Sequence, residues 1–154
     1  MSPIVRPRRG AANGAREAEA GLSRSRLRQL STAAIVAVVA VILLTTLTPA
    51  GVSASGCALG LPCVVGHLGL FGLLGAALAG RYATSAAAAE SPRRVLMMTV
   101  LAVWIFAAAD ELAQNIVEGR EASLVDWLAD MVGALGGMLA GSVVLRRILE
   151  ASRR

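Results

Sequence analysis

The chain has 154 residues, of which 56% are hydrophobic, 16% charged and 3% aromatic, with a mean hydropathy of +0.66. A soluble domain carries about 25% charged residues, so this composition lacks the polar surface needed to face water all round, and the lipid bilayer is the expected surrounding. The net charge of +5 rests on arginines grouped beside apolar runs without interleaved aromatics, so no nucleic-acid partner is expected.

In chain order, residues 1–30 hold Arg6, Arg8, Arg9, Arg16, Arg24, Arg26 and Arg28 among Gly, Ser, Pro and Ala. With so little apolar surface to bury, this segment predicts a disordered basic tail. The first apolar run covers 31–47 and is closed by Thr48 and Pro49. A small-residue loop, 50–63, carries both cysteines, Cys57 and Cys63. A disulfide suited to an oxidising compartment and a pair of free thiols are both compatible with that spacing. The string Ser53-Ala54-Ser55-Gly56-Cys57 resembles a signal-cleavage junction, but the apolar runs that follow favour an uncleaved anchor.

The second run, 64–82, includes Gly66, Gly69, Gly72 and Gly75, and an Ala/Ser-rich linker leads to the third, 95–116. A charged turn over 117–123 precedes the fourth run, 124–145, and Arg146, Arg147, Arg153 and Arg154 close the chain. At 1.5 Å rise per residue, each run can cross a hydrocarbon core about 30 Å thick, and open strands could not satisfy their edges there. The predicted fold is an all-α membrane protein: a four-helix transmembrane bundle over 31–147, between the tail 1–30 and a short basic tail 148–154. With the N-terminus inside, Arg81, Arg93 and Arg94 and both tails fall on one side, and Arg120 alone falls on the other. That asymmetry predicts a multi-pass protein of the plasma membrane with cytoplasmic N- and C-termini, and Trp127 and Tyr82 take interfacial positions. Gly133, Gly137 and Gly141 form a small-residue stripe, which predicts close helix packing inside the bundle or against a second copy of the chain.

Ionisable groups in a membrane are costly and face a bundle interior or a water-filled cavity. Here they gather at one end: His67 on the second helix, Asp110, Glu111, Gln114 and Asn115 on the third, Glu118, Arg120 and Glu121 in the turn, and Ser123, Asp126 and Asp130 on the fourth. Ser123, Asp126 and Asp130 share a face by three- and four-residue spacing, and that face continues into Gly133 and Gly137. The acidic face is therefore also the packing face. The first helix brings no ionisable group and is expected only to anchor and pack. The candidate ligand-binding residues are His67, Glu111, Gln114, Arg120, Ser123, Asp126 and Asp130. The cysteines lack metal-ligand spacing and His67 is the single histidine, so no metal ligand set and no cofactor are assigned.

The ordered string Glu111-x-x-Gln114, Arg120-x-x-Ser123-x-x-Asp126, Gly133 and Gly137, with His67 at the start of the second helix, resembles the signature of VanZ-like integral membrane proteins of bacteria. Two positions differ: Cys63 and Val64 stand where that family often has an Asp-Lys pair, and Asp130 stands where it usually has Asn. The resemblance covers roughly residues 62 to 141 and implies a cell-envelope protein, by way of a namesake associated with resistance to the glycopeptide teicoplanin.

Two functions are expected to compete. In the first, an outward-facing polar site binds the head group of a lipid-linked or cell-wall precursor, with Arg120 on a phosphate or carboxylate. In the second, the same layer performs acid/base hydrolysis or transfer on an envelope lipid, or does so with the help of a metal held by His67 and carboxylates. No catalytic residue is assigned. A proton or ion pathway is disfavoured because the inner halves of the helices carry no polar chain.

Overall fold

Long runs of Ala, Leu, Val and Gly have no other way to satisfy their backbone in lipid than to coil, and the apolar runs do so. The protein, seen in a computed structural model, is described over residues 9–49 and 61–151, with side-chain surroundings for 24–49, 63–148 and 150–151. It contains α1 (Arg9–Thr46), α2 (Leu61–Ala83), α3 (Ala86–Glu90), α4 (Pro92–Gln114) and α5 (Leu124–Ala151), with no strand among the described residues. Four segments are long and apolar enough to cross a membrane: Arg24–Thr46, Cys63–Ala83, Pro92–Gln114 and Leu124–Ile148. The expected four-helix, all-α membrane architecture is therefore present.

The helices are longer than the apolar runs. The disordered tail expected over 1–30 is helical from Arg9, while residues 1–8 lie outside the described residues. The physical reason is propagation. Ala, Glu, Arg and Leu dominate 11–30, and extending a helix already nucleated by the span costs far less than starting one. At the other end, α5 runs through Arg146 and Arg147 to Ala151, and residues 152–154 of the expected tail lie outside the described residues. The linker between the second and third spans folds into α3, capped by Ser85, whose Oγ accepts from the Ala88 N–H at 3.3 Å. Tyr82 donates its hydroxyl to the Pro92 carbonyl at 2.9 Å, which ties the end of α2 to the start of α4. Cys63 is buried at the start of α2 and disulfide-bonded; Cys57 and the stretch 50–60 lie outside the described residues.

The closest packing is between α2 and α5, and glycine makes it possible. A Cβ on Gly133 would meet the Leu68 carbonyl oxygen at 2.5 Å, and one on Gly141 would meet the Ala76 Cα at 3.0 Å. A Cβ on Gly137 would overlap the Gly72 carbonyl, and one on Gly75 the Ala134 carbonyl. The pairs 68/133, 72/137 and 76/141 advance together, so α2 and α5 run parallel. The stripe expected to pack inside the bundle or against a second copy is thus filled by α2 of the same chain. Self-association through Gly133, Gly137 and Gly141 loses its face.

Ile42, Phe71, Leu74, Ala107, Met131 and Ala134 form the apolar core, with Phe71 and Phe106 rings 5.9 Å apart. Outside it, Val36, Leu44, Met97, Ile105, Val132 and Leu139 are all more than half exposed. So continuous an apolar exterior belongs against lipid tails. A groove of about 670 Å³ between α1, α2, α3 and α4 is lined mainly by apolar groups such as Leu74, Val95 and Val103, and none of its lining residues belongs to the acidic layer.

Candidate functional site

The polar layer forms where four helix ends meet. Thr46 closes α1, His67 lies in the second turn of α2, Asp110, Glu111 and Gln114 finish α4, and Ser123, Asp126 and Asp130 open α5. Between α4 and α5 the chain turns at Gly119, whose φ of 75° is open to glycine at little cost, and Arg120 N–H closes that turn on the Val117 carbonyl at 3.1 Å. Ser123 then caps α5: its Oγ accepts from the Asp126 N–H at 3.2 Å. Asn115 holds the other side of the turn by accepting from the Ala122 N–H at 2.8 Å.

At the centre, His67 Nδ1 lies 2.9 Å from Asp130 Oδ1 and 3.7 Å from Glu111 Oε1. Asp130 is fully buried, and its Oδ2 has no hydrogen-bond partner among the described residues. Glu111 is held from two sides, by Ser123 N–H donating to Oε2 at 2.9 Å and Gln114 Nε2 donating to Oε1 at 3.2 Å. Donor atoms of His67, Glu111 and Asp130 all fall within 4.8 Å of one another, a spacing at which three ligands can share one metal ion. The sequence offers a metal held by His67 and carboxylates only within the hydrolase alternative and assigns no ligand set; the fold selects Glu111 and Asp130 as the carboxylates that join His67.

The other expected residues are distributed around this triad. Gln114 and Ser123 touch Glu111 and orient it. Asp126 is half-buried one turn above Asp130; its charge acts on His67, Glu111 and Asp130, but it makes no ion pair within 4 Å among the described residues. Arg120 is also half-buried, and its Nε is shielded from solvent without a hydrogen-bond partner among the described residues. It forms no ion pair within 4 Å among the described residues, although its charge reaches Asp110. Trp127 stands edge-on to Trp104 with ring centroids 6.4 Å apart, and its Nε1 is likewise buried without a hydrogen-bond partner among the described residues.

Asp110, placed in the layer from the sequence but not among the candidate ligand residues, and Thr46, not expected there at all, also take part. Asp110 is buried and Thr46, at the end of α1, is its partner: the Thr46 hydroxyl lies 2.5 Å from Asp110 Oδ1 and 2.9 Å from the Ile42 carbonyl. The first helix, expected only to anchor and pack, therefore reaches the layer through a neutral side chain. The available signal was the Thr45-Thr46-x-Thr48 cluster at the end of an otherwise apolar span. A threonine that bonds back to its own helix is indistinguishable from it in sequence, which is what Thr45 and Thr48 do.

This arrangement can hold a cation, accept hydrogen bonds from a ligand, or pass a proton between imidazole and carboxylate. No protein-family model matches the chain, and neither a curated protein nor a solved structure matches it.

Proposed function

We propose that the chain is a VanZ-like membrane protein of the bacterial cell envelope, with its polar layer facing away from the cytoplasm. In this reading the layer binds the polar head group of a lipid-linked or cell-wall precursor. The observation that carries it is the gathering of His67, Glu111 and Asp130 at one end of four apolar helices, with Asp126 and Arg120 beside them. The ordered polar positions of the sequence support the family, and the isolation of Arg120 from the other arginines supports the outward direction. Arg120 has no carboxylate within ion-pair reach among the described residues, so its guanidinium has capacity for a phosphate or carboxylate of the ligand.

The test is a deletion strain profiled for teicoplanin susceptibility and envelope lipids, then complemented with variants. Deletion is expected to change susceptibility, and neither His67→Ala nor Asp126→Asn is expected to restore it. Full complementation by both variants would sink the proposal.

A second reading, an acid/base hydrolase or transferase acting on an envelope lipid, is favoured by the 2.9 Å contact between the imidazole of His67 and a buried carboxylate. Turnover of envelope lipids by the purified protein, lost on Glu111→Gln, distinguishes it from binding alone.

A further inference from the structure

We propose that His67, Glu111 and Asp130 form a binding site for one divalent transition-metal ion, held by one imidazole nitrogen and two carboxylate oxygens. One nitrogen and two oxygens suit zinc, manganese or ferrous iron, and exclude the soft, thiolate-seeking ions. The site does not depend on the head-group reading, since it is defined by the chain's own donors.

Geometry is the first argument. Metal bonds of about 2.0 Å in a tetrahedral arrangement place donor atoms roughly 3.3 Å apart. The two separations measured from His67 Nδ1, 2.9 Å and 3.7 Å, bracket that value. The third separation, between the Glu111 and Asp130 oxygens, is also within 4.8 Å, so an ion placed between the three donors draws them together. His67 would ligate through a lone pair on Nδ1, with its proton on Nε2.

Asp130 supplies an independent argument. It is 0% exposed and its Oδ2 has no donor among the described residues. A buried carboxylate with an oxygen lacking a partner is costly, and an ion held by Asp130 lowers that cost by balancing the charge the carboxylate carries. Charge agrees with this. Two carboxylates bring two negative charges together, a protonated imidazole returns only one, and Arg120 makes no ion pair with either. A divalent ion balances both.

The surroundings of the donors are also those of a built site. Ser123 N–H and Gln114 Nε2 fix the Glu111 carboxylate, the kind of outer support that orients metal ligands. The His67 side chain, 18% exposed against 5% for Glu111 and 0% for Asp130, provides the way in. Three protein donors leave at least one coordination position for water or a ligand oxygen.

The test uses the full chain in lipid nanodiscs, purified through an affinity tag without histidines. Zn²⁺, Mn²⁺ and Co²⁺ are titrated separately, and bound metal is counted after removal of free ion. About one ion per chain is expected for the parent, with affinity at least about tenfold weaker in His67→Ala and Asp130→Asn. Glu150→Gln, on the exposed far end of α5, should bind like the parent. Binding of well under one ion per chain by the parent overturns the proposal, as does undiminished binding by folded His67→Ala and Asp130→Asn variants. Should those variants fail to fold, pulsed EPR of the Mn²⁺-loaded parent decides. His67 is the chain's single histidine, so an imidazole-nitrogen coupling can come from nowhere else. Its absence overturns the proposal. A positive result with unchanged envelope phenotypes would leave the metal site standing and count against the head-group reading alone.

Discussion

At the scale of single residues, the layer is a balance between buried charge and the few donors that reach it. Among the described residues Asp130 hydrogen-bonds to His67 alone, so His67→Ala strands a fully buried carboxylate. Breaking a buried pair costs about 3–5 kcal/mol where both members are enclosed. His67 is partly exposed, so we expect about 2–3 kcal/mol, read as a lower melting temperature in detergent. His67→Leu combined with Asp130→Leu should recover most of that loss, because it removes the stranded charge along with its partner. If the double variant melts no higher than His67→Ala, the penalty does not come from the unpaired carboxylate. Thr46→Val tests the reach of α1. It keeps the shape and deletes the hydroxyl beside Asp110, and interhelical hydrogen bonds in membranes average about 0.6 kcal/mol. A loss of that size is expected, and none should follow Thr48→Val, whose hydroxyl, among the described residues, bonds to its own helix at the Leu44 carbonyl.

The helices meet through the residues they lack as much as through those they have. Gly137 lies so close to the Gly72 carbonyl that Gly137→Leu must push α2 and α5 apart, whereas Gly136, one residue away, has nothing within 4 Å of an added Cβ. Overpacking costs about 1–3 kcal/mol or more, and Gly→Ala in an open helix interior gains about 1 kcal/mol. Melting temperatures should therefore fall for Gly137→Leu and hold or rise for Gly136→Ala. The same displacement should disturb the triad, since His67 and Asp130 sit just before the first glycine contact, Leu68 with Gly133. At the start of α5, Ser123→Ala removes a cap worth about 1 kcal/mol, and Ser123→Asp should restore the stability but place a further carboxylate beside Glu111.

For the molecule as a whole, the exposed apolar exterior and the four spans put the polar layer at one end of a bundle, and the proposed orientation puts that end outside. Glu118, in the turn beside the layer, and Glu90, at the opposite end, are both exposed. A membrane-impermeant maleimide on intact cells should label Glu118→Cys above the parent background and leave Glu90→Cys unlabelled until the cells are opened. The reverse pattern would invert the topology and take the proposed ligand with it.

Four apolar spans, the uneven placement of the arginines around them, and the concentration of His67, Glu111, Asp126 and Asp130 near one end were all legible in the sequence. Each follows from local chemistry: run length against bilayer thickness, and the helical repeat that aligns 126, 130, 133 and 137. Which carboxylate meets the histidine was not legible. Asp126 and Asp130 lie one turn apart on the same face, and choosing between them requires the register of α2 against α5. That register is set by backbone contacts at Leu68/Gly133, Gly72/Gly137 and Ala76/Gly141. It brings His67 to Asp130, leaves Asp126 and Arg120 outside direct contact with His67, and packs the glycine face against α2. Composition and periodicity are properties of one helix at a time, and they determined what this chain contains and where it spans. The site belongs to the contacts between helices, and only the tertiary structure decided which of those residues meet.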